Sequence, residues 1–76
     1  MENQQDLEIK RVMEQIGCNI RKRRRLLNWT QEELGEKADL DGRQIGFVER
    51  ADVNATIKTL LRIAGALQCG IDDLLK

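Results

Sequence analysis

Two helix-start signals stand close together in the middle of the chain, and they constrain the fold more than any other feature. Thr30 is followed three residues later by Glu33, and this pair forms a capping box in which each side chain satisfies a free backbone N–H of the other residue. Asp41 is a second residue suited to an N-cap. The helix that begins at Thr30 is therefore short, and we predict that it ends near Asp39, which tolerates a left-handed turn conformation.

The helix that begins at Asp41 is also short. Ile45 and Val48 supply its buried side, Gln44 stands at a capping-box position, and we expect the helix to end around Arg50. Two short helices joined by a turn of about three residues have the proportions of a helix-turn-helix.

A longer helix is predicted before this motif. Its apolar residues recur at three- and four-residue steps and describe one stripe of a helix; they are Ile9, Val12, Met13, Ile16, Ile20 and Leu27. Asn28 ends the helix because Asn tolerates the left-handed conformation, and Trp29 is the apolar residue expected to fold back on the last turn. Gly17 weakens the middle of this helix. How much of residues 1–15 belongs to it stays open.

Two helices are predicted after the motif. Thr56 caps the first, whose apolar residues share one predicted face: Ile57, Leu60, Leu61, Ala64 and Leu67. Gly70 separates it from a short last helix with more apolar surface than a terminal turn normally exposes to water. Because a chain of 76 residues forms only a small core, association of two copies is expected to add stability.

Composition supports an all-α fold and argues against several functions. The chain has no Pro and 3% aromatic residues, whereas Leu, Ile and Ala predominate, which suits helices. It has no His, no Ser and only two cysteines, Cys18 and Cys69; it therefore lacks the usual general base, a Ser nucleophile and a zinc ligand set. We expect no enzyme activity, metal or cofactor. No apolar stretch has the length of a signal peptide or membrane span, which predicts a cytoplasmic protein without membrane contact.

The net charge is zero, which on its face argues against nucleic-acid binding. The charges are unevenly placed, however: residues 21–25 are all Arg or Lys, and acids cluster near both termini. Five consecutive helical residues point in all directions, so they cannot all contact one DNA strand. The distribution still permits a basic face.

An ordered set of residues across the predicted helices resembles the lambda-repressor-like family, also called Cro-type or xenobiotic-response-element regulators. The set is Ile16, Ile20, Arg24, Thr30–Leu34, Ala38, Leu40, Ile45, Val48–Arg50, Asn54, Thr56, Leu60, Ile63–Ala64, Ala66–Leu67 and Leu74–Leu75. The size of the chain, Asp41 and the stretch 54–60 are most similar to the controller proteins of restriction–modification systems. The resemblance implies a five-helix domain over residues 16–76, preceded by an extension over 1–15. It also implies a dimeric transcriptional regulator of a pseudo-palindromic DNA operator, with RNA polymerase as a further candidate partner.

Base contacts are expected from the helix that follows Asp41, because a helix fits the major groove and its leading exposed residues reach base edges. The candidates are Gly42, Arg43, Gln44 and Phe47. Arg43 suits guanine O6 and N7, or alternatively a phosphate. Gln44 either pairs with adenine or folds back on Asp41 as a cap. Phe47 either touches a thymine methyl group or lies in the core, and Gly42 stands where the family usually has a base-reading side chain.

Phosphate contacts are expected at the start of the Thr30 helix, where N–H groups and the helix dipole favour an anion. Thr30 and Gln31 are the candidates, with a capping role alone as the alternative for Thr30. The resemblance implies that Gln31 contacts the DNA backbone. It also implies that Arg50, Asn54 and Lys58 bind phosphates and orient the protein without specifying sequence.

Two further sets of residues have structural roles. The resemblance implies that Arg24 pairs with Glu49 and braces the first helix on the recognition helix, and a buried carboxylate without a partner would be costly. The predicted dimer interface consists of apolar residues of the last two helices: Leu67, Ile71, Leu74 and Leu75.

A protein-interaction module, such as an antitoxin or coactivator, is the alternative function. Gly42, Gly46 and the zero net charge favour it, and at position 42 the helix has no side chain with which to read a base. The salt dependence of binding to random duplex DNA distinguishes the two functions, since only phosphate neutralisation releases counterions.

Overall fold

The predicted capping residues Thr30, Asp41 and Thr56 mark the starts of three of the helices. A computed structural model describes residues 3–76. Its helices are α1 (Gln4–Leu26), α2 (Gln31–Ala38), α3 (Gly42–Glu49), α4 (Ile57–Ala66) and α5 (Ile71–Leu74), and the described residues contain no strand. The all-α, five-helix prediction is confirmed. None of these helices is long and apolar enough to cross a bilayer.

The predicted caps are present in the structure. Thr30 and Glu33 form the reciprocal capping box, and the side chains of Asp41 and Thr56 each accept a backbone N–H at the start of their helices. Asn28 and Asp39 both take the left-handed conformation, with φ of 59°. Each of these contacts spans only a few residues, which is why the sequence alone predicts them.

The first helix is longer than its core-facing part. It begins at Gln4 after an N-cap at Asn3 and runs through position 15 without a break, so most of the predicted extension is helical. Met1 and Glu2 lie outside the described residues.

The core consists of one buried cluster between the helices. α1 packs on α3 and α5, α2 packs on α3 and α4, and α4 packs on α5. The most deeply buried side chains are Ile20, Leu34, Ile45, Val48, Ile63 and Leu74. α5 is held to α1 by a hydrogen bond of 2.8 Å from the Asn19 side chain to the Leu74 carbonyl oxygen.

Several residues placed in the predicted apolar stripes face solvent instead. Ile9 is 50% exposed, Val12 46%, Leu27 44%, Ile57 64% and Leu61 52%. Apolar residues at three- and four-residue steps indicate which side of a helix faces the core, but not how wide the buried face is. In this protein the buried face is narrower than the apolar stripe.

The predicted dimer interface needs a correction at two residues. Leu67 is 5% exposed and Leu74 is 0% exposed, because both pack inside the protomer where α4 meets α5. They are therefore not available to a second copy. Leu75 is 50% exposed and Ile71 is half-buried.

Gly17 has a low helix propensity, but it has a packing role between α1 and α3. A Cβ at this position would lie 2.5 Å from the carbonyl oxygen of Glu49 and 2.6 Å from that of Val48. The backbones of α1 and α3 approach closely only because the side chain is absent. This contact fixes the end of α3 against α1.

Candidate nucleic-acid interface

The start of α3 is fixed by its cap and by the turn from α2. The Leu40 N–H donates to the Gly35 carbonyl at 2.7 Å, and the Asp41 carboxylate accepts the Arg43 N–H at 2.8 Å. Ile45 and Val48 are fully buried, which turns the opposite side of α3 outward. The leading turn of this helix is thus held rigidly at the surface.

Arg43 lies on the outward side and pairs with its own helix cap. Its Nη2 lies 3.3 Å from Asp41 Oδ2, and 85% of the Arg43 side chain is exposed. The backbone hydrogen bond from Arg43, followed by the side-chain contact, lowers the pKa of Asp41. An exposed pair of this kind is weak, so the guanidinium can exchange the carboxylate for a guanine or a phosphate.

Gln44 does not take the capping role. Its backbone N–H donates to the Asp41 carbonyl at 2.9 Å, but within residues 3–76 no capping box forms at this helix. The folded-back alternative is therefore wrong for this structure. The side-chain amide remains half-buried at the surface of α3.

Phe47 lies outside the core. Its side chain is 43% exposed, and the Arg50 guanidinium stands 5.4 Å from the ring centroid. Arg50 also pairs with Asp52 at 2.8 Å. The aromatic ring and its cation form part of the outward surface of α3, which leaves the ring accessible to a thymine methyl group.

Gly42 faces α2 rather than the outward surface. A Cβ there would come within 2.9 Å of the Glu32 Cα, so the residue lets the starts of α2 and α3 approach each other. A cleft of about 340 Å³ opens beside it, lined by Gln31, Glu32, Asp41, Gly42 and Arg43. Any base contact from position 42 would come from its backbone.

The start of α2 combines a cap with free donors. Thr30 Oγ1 accepts the Glu33 N–H at 3.0 Å, and Glu33 Oε1 accepts the Thr30 N–H at 2.9 Å. The capping role of Thr30 is therefore present. The next two N–H groups, on Gln31 and Glu32, have no partner within their own helix, and they suit an anion.

The remaining predicted phosphate ligands follow α3. Arg50, Asn54 and Lys58 are all exposed. Asn54 lies in the loop between α3 and α4, and Lys58 lies in the first turn of α4. Their role in binding phosphate stays a prediction.

A buried carboxylate joins three helices behind this surface. The side chain of Glu49 is 0% exposed; Arg24 donates to it from Nε at 2.6 Å and from Nη2 at 3.0 Å. The predicted ion pair is therefore present. Arg24 also donates to the Trp29 carbonyl at 2.8 Å, which fixes the end of α1.

Glu49 makes two further contacts that the sequence did not predict. Gln31 Nε2 donates to Glu49 Oε1 at 3.1 Å, and Arg21 Nε lies 3.6 Å from the same oxygen. Burial acts to raise the pKa of Glu49, but hydrogen bonds from Arg24 and Gln31 and the charges of both arginines outweigh it, so the pKa is lowered. Glu49 is therefore charged at neutral pH.

The comparisons with known proteins agree on one family. Residues 20–74 match the family described as helix-turn-helix. The control protein C.SmaI of Serratia marcescens is 38% identical over 64 residues, which cover 84% of this chain and 76% of that protein. The restriction-modification controller protein C.AhdI from Aeromonas hydrophila has a TM-score of 0.78 at 29% identity, covering 82% of this chain and 94% of that one.

A repressor solved on DNA is also similar. The P22 c2 repressor, in complex with a synthetic operator, has a TM-score of 0.74 at 36% identity and covers 80% of this chain and 92% of that one. The family match extends from the second half of α1 to the end of α5. The resemblance predicted from the sequence is thus confirmed, and the chain belongs to the helix-turn-helix family.

Proposed function

We propose that this protein is a transcriptional regulator that binds duplex DNA with α3 in the major groove. The observation that carries the proposal is the outward side of α3, where Arg43, Gln44 and Phe47 stand together on a helix whose other sides are packed. The operator complex of the similar P22 c2 repressor supports the same use of the fold. The two similar controller proteins support a role in controlling restriction–modification genes.

The protein acts as a homodimer through α4 and the chain end. Ile57 and Leu61 are 64% and 52% exposed on α4, and Leu75 is 50% exposed directly after α5. These side chains would lose their contact with water at an interface between two copies. A dimer reads two half-sites about one helical turn apart. RNA polymerase, the further partner that the resemblance implies, stays a prediction.

The glycines of α3 no longer favour the protein-interaction alternative. Gly42 faces α2, and Gly46 is buried, so neither leaves a gap among the side chains that face outward. The zero net charge is a whole-chain sum and does not describe this surface.

The test compares a base-reading residue with a phosphate ligand. A footprint on the DNA upstream of the protein's own gene would first locate the operator. Arg43→Ala should then reduce discrimination at one base pair per half-site by about 1–3 kcal/mol, whereas Asn54→Ala should weaken binding to all sequences alike. Equal losses on every sequence from both variants would remove Arg43 as a reader. Affinity for random duplex DNA that does not fall with salt would contradict the function itself.

A further inference from the structure

The side chain of Gln31 crosses α3 instead of extending into solvent. Gln31 is the first residue of α2, yet its amide reaches Glu49 at the last position of α3, 3.1 Å away. The amide passes over Gly46: a Cβ there would lie 3.2 Å from Gln31 Oε1 and 3.5 Å from Nε2. Gly46 therefore leaves the space through which Gln31 reaches the carboxylate.

The same carboxylate oxygen also faces Arg21. Arg21 Nε stands 3.6 Å from Glu49 Oε1, and the Arg21 side chain is 41% exposed while that of Glu49 is 0% exposed. Arg24 donates a hydrogen bond to each of the two carboxylate oxygens. Two guanidinium groups thus lie against one covered carboxylate, and this cluster carries a net positive charge in contact with the side chain of Gln31, the first residue of α2.

We infer that Glu49 is a positioning residue for DNA binding, which holds Gln31 and Arg21 together so that both engage one backbone phosphate, and that Gly46 permits this arrangement. The inference rests on the proposed function. It adds Arg21 to the predicted phosphate ligands. It also means that the residues contacting the phosphate are fixed to α3 through Glu49.

The gain comes from ordering Gln31 before DNA arrives. Immobilising a flexible side chain on binding costs about 0.5–1.5 kcal/mol, which corresponds to roughly 2- to 12-fold in affinity. A variant that releases Gln31 from Glu49 should lose affinity by about this factor on all sequences, because a phosphate contact carries no sequence information.

The test uses two glycines that both lie inside helices. In Gly46→Ala, the atoms nearest to the new methyl group are the movable ends of the Gln31 and Arg50 side chains, both 3.2 Å away, whereas nothing lies within 4 Å of a Cβ at Gly65. Both variants should fold, since Ala is a better helix former than Gly. Thermal unfolding and sedimentation confirm stability and dimer state before DNA binding is measured.

A double-mutant cycle separates the effect of Gln31 from that of Arg50. We expect Gly46→Ala to weaken binding to random duplex DNA by roughly 2- to 12-fold, with Gly65→Ala unchanged. In a Gln31→Ala background, Gly46→Ala should have no further effect. An equal loss in both backgrounds, or no loss in either, would overturn the inference.

A measurement without DNA distinguishes this inference from the proposed function. The side-chain amide signals of Gln31 in a ¹⁵N–¹H spectrum should be displaced from those of the other glutamines, and Gly46→Ala should return them. If these signals are ordinary in the parent protein, the positioning role is refuted even where DNA binding is intact. If they are displaced but the parent binds no DNA, the proposed function is refuted and the phosphate role with it.

Discussion

Removing Arg24 from its buried pair with Glu49 gives a quantitative test of how the domain is held together. The Arg24 side chain is 10% exposed and that of Glu49 is 0% exposed. Arg24→Met keeps an aliphatic side chain in place but removes two hydrogen bonds to Glu49 and one to the Trp29 carbonyl. The variant therefore leaves a covered carboxylate without its main partner.

The expected loss of stability is large for a domain of this size. Breaking a buried pair by removing one partner costs about 3–5 kcal/mol. Gln31 and Arg21 remain near Glu49 Oε1, so we expect the lower end, about 3 kcal/mol. Since domains of this size unfold with roughly 4–11 kcal/mol, the variant should lose a substantial part of its stability. Its melting temperature should fall by roughly 12–24 °C.

The contribution of Glu49 to the pH dependence of folding stability should have opposite signs in the parent and in Arg24→Met. In the parent, the lowered pKa of Glu49 contributes stability above the unfolded pKa, and this contribution is lost as pH falls through the folded pKa. In Arg24→Met, burial becomes the dominant influence and raises the Glu49 pKa. Protonation then relieves the buried charge, so the deficit relative to the parent should be smaller at about pH 4 than at pH 7.

Urea unfolding followed by helical circular dichroism measures both effects, at one fixed protomer concentration because dimer stability depends on it. The double variant Arg24→Met, Glu49→Leu is the control, since apolar replacement of both partners of a buried pair is often neutral. It should recover most of the loss. A single-variant loss below about 1 kcal/mol, or a double variant no more stable than the single one, would refute the reasoning.

Three further predictions address packing, assembly and recognition. Gly17→Ala should lower the unfolding free energy by about 1–3 kcal/mol, because its Cβ would lie 2.5 Å from a carbonyl oxygen of α3. Gly65→Ala, measured by thermal unfolding alongside it, should instead raise the unfolding free energy by about 0.5–1 kcal/mol. Leu61→Glu should convert the proposed dimer to monomer in sedimentation without loss of helicity; a dimer that is unchanged in the variant would exclude this face of α4. Asp41→Ser keeps an N-cap but removes a carboxylate from beside Arg43, so random duplex DNA should bind more tightly in a titration; weaker binding would contradict this.

Local signals made the helix boundaries predictable from the sequence. The caps at Thr30, Asp41 and Thr56, and the left-handed residues Asn28 and Asp39, each depend on hydrogen bonds within a few residues. These contacts form whatever the tertiary arrangement, so their residue types indicate them directly. The Arg24–Glu49 pair needed more than this, and the family resemblance supplied it.

Packing between helices was less predictable, because periodicity does not say which neighbour a residue meets. Leu61 and Leu67 share the predicted face of α4, yet one is 52% exposed and the other 5%. The contact of Gln31 with Glu49 depends on a space between two helices. Gly46 was the available signal for that space, but a missing side chain does not indicate what fills its place.

Three glycines allow close contacts that hold α3 against its neighbours. Gly17 lets α1 approach the end of the helix, Gly42 lets α2 approach its start, and Gly46 admits Gln31 across its middle. A helix held on three sides can present few side chains, but it presents them in fixed positions, and fixed geometry is what base recognition requires. We therefore expect sequence discrimination by this protein to depend on Arg43, Gln44 and Phe47. Changes at Gly17 and Gly46 should alter affinity or stability while leaving the preferred sequence unchanged.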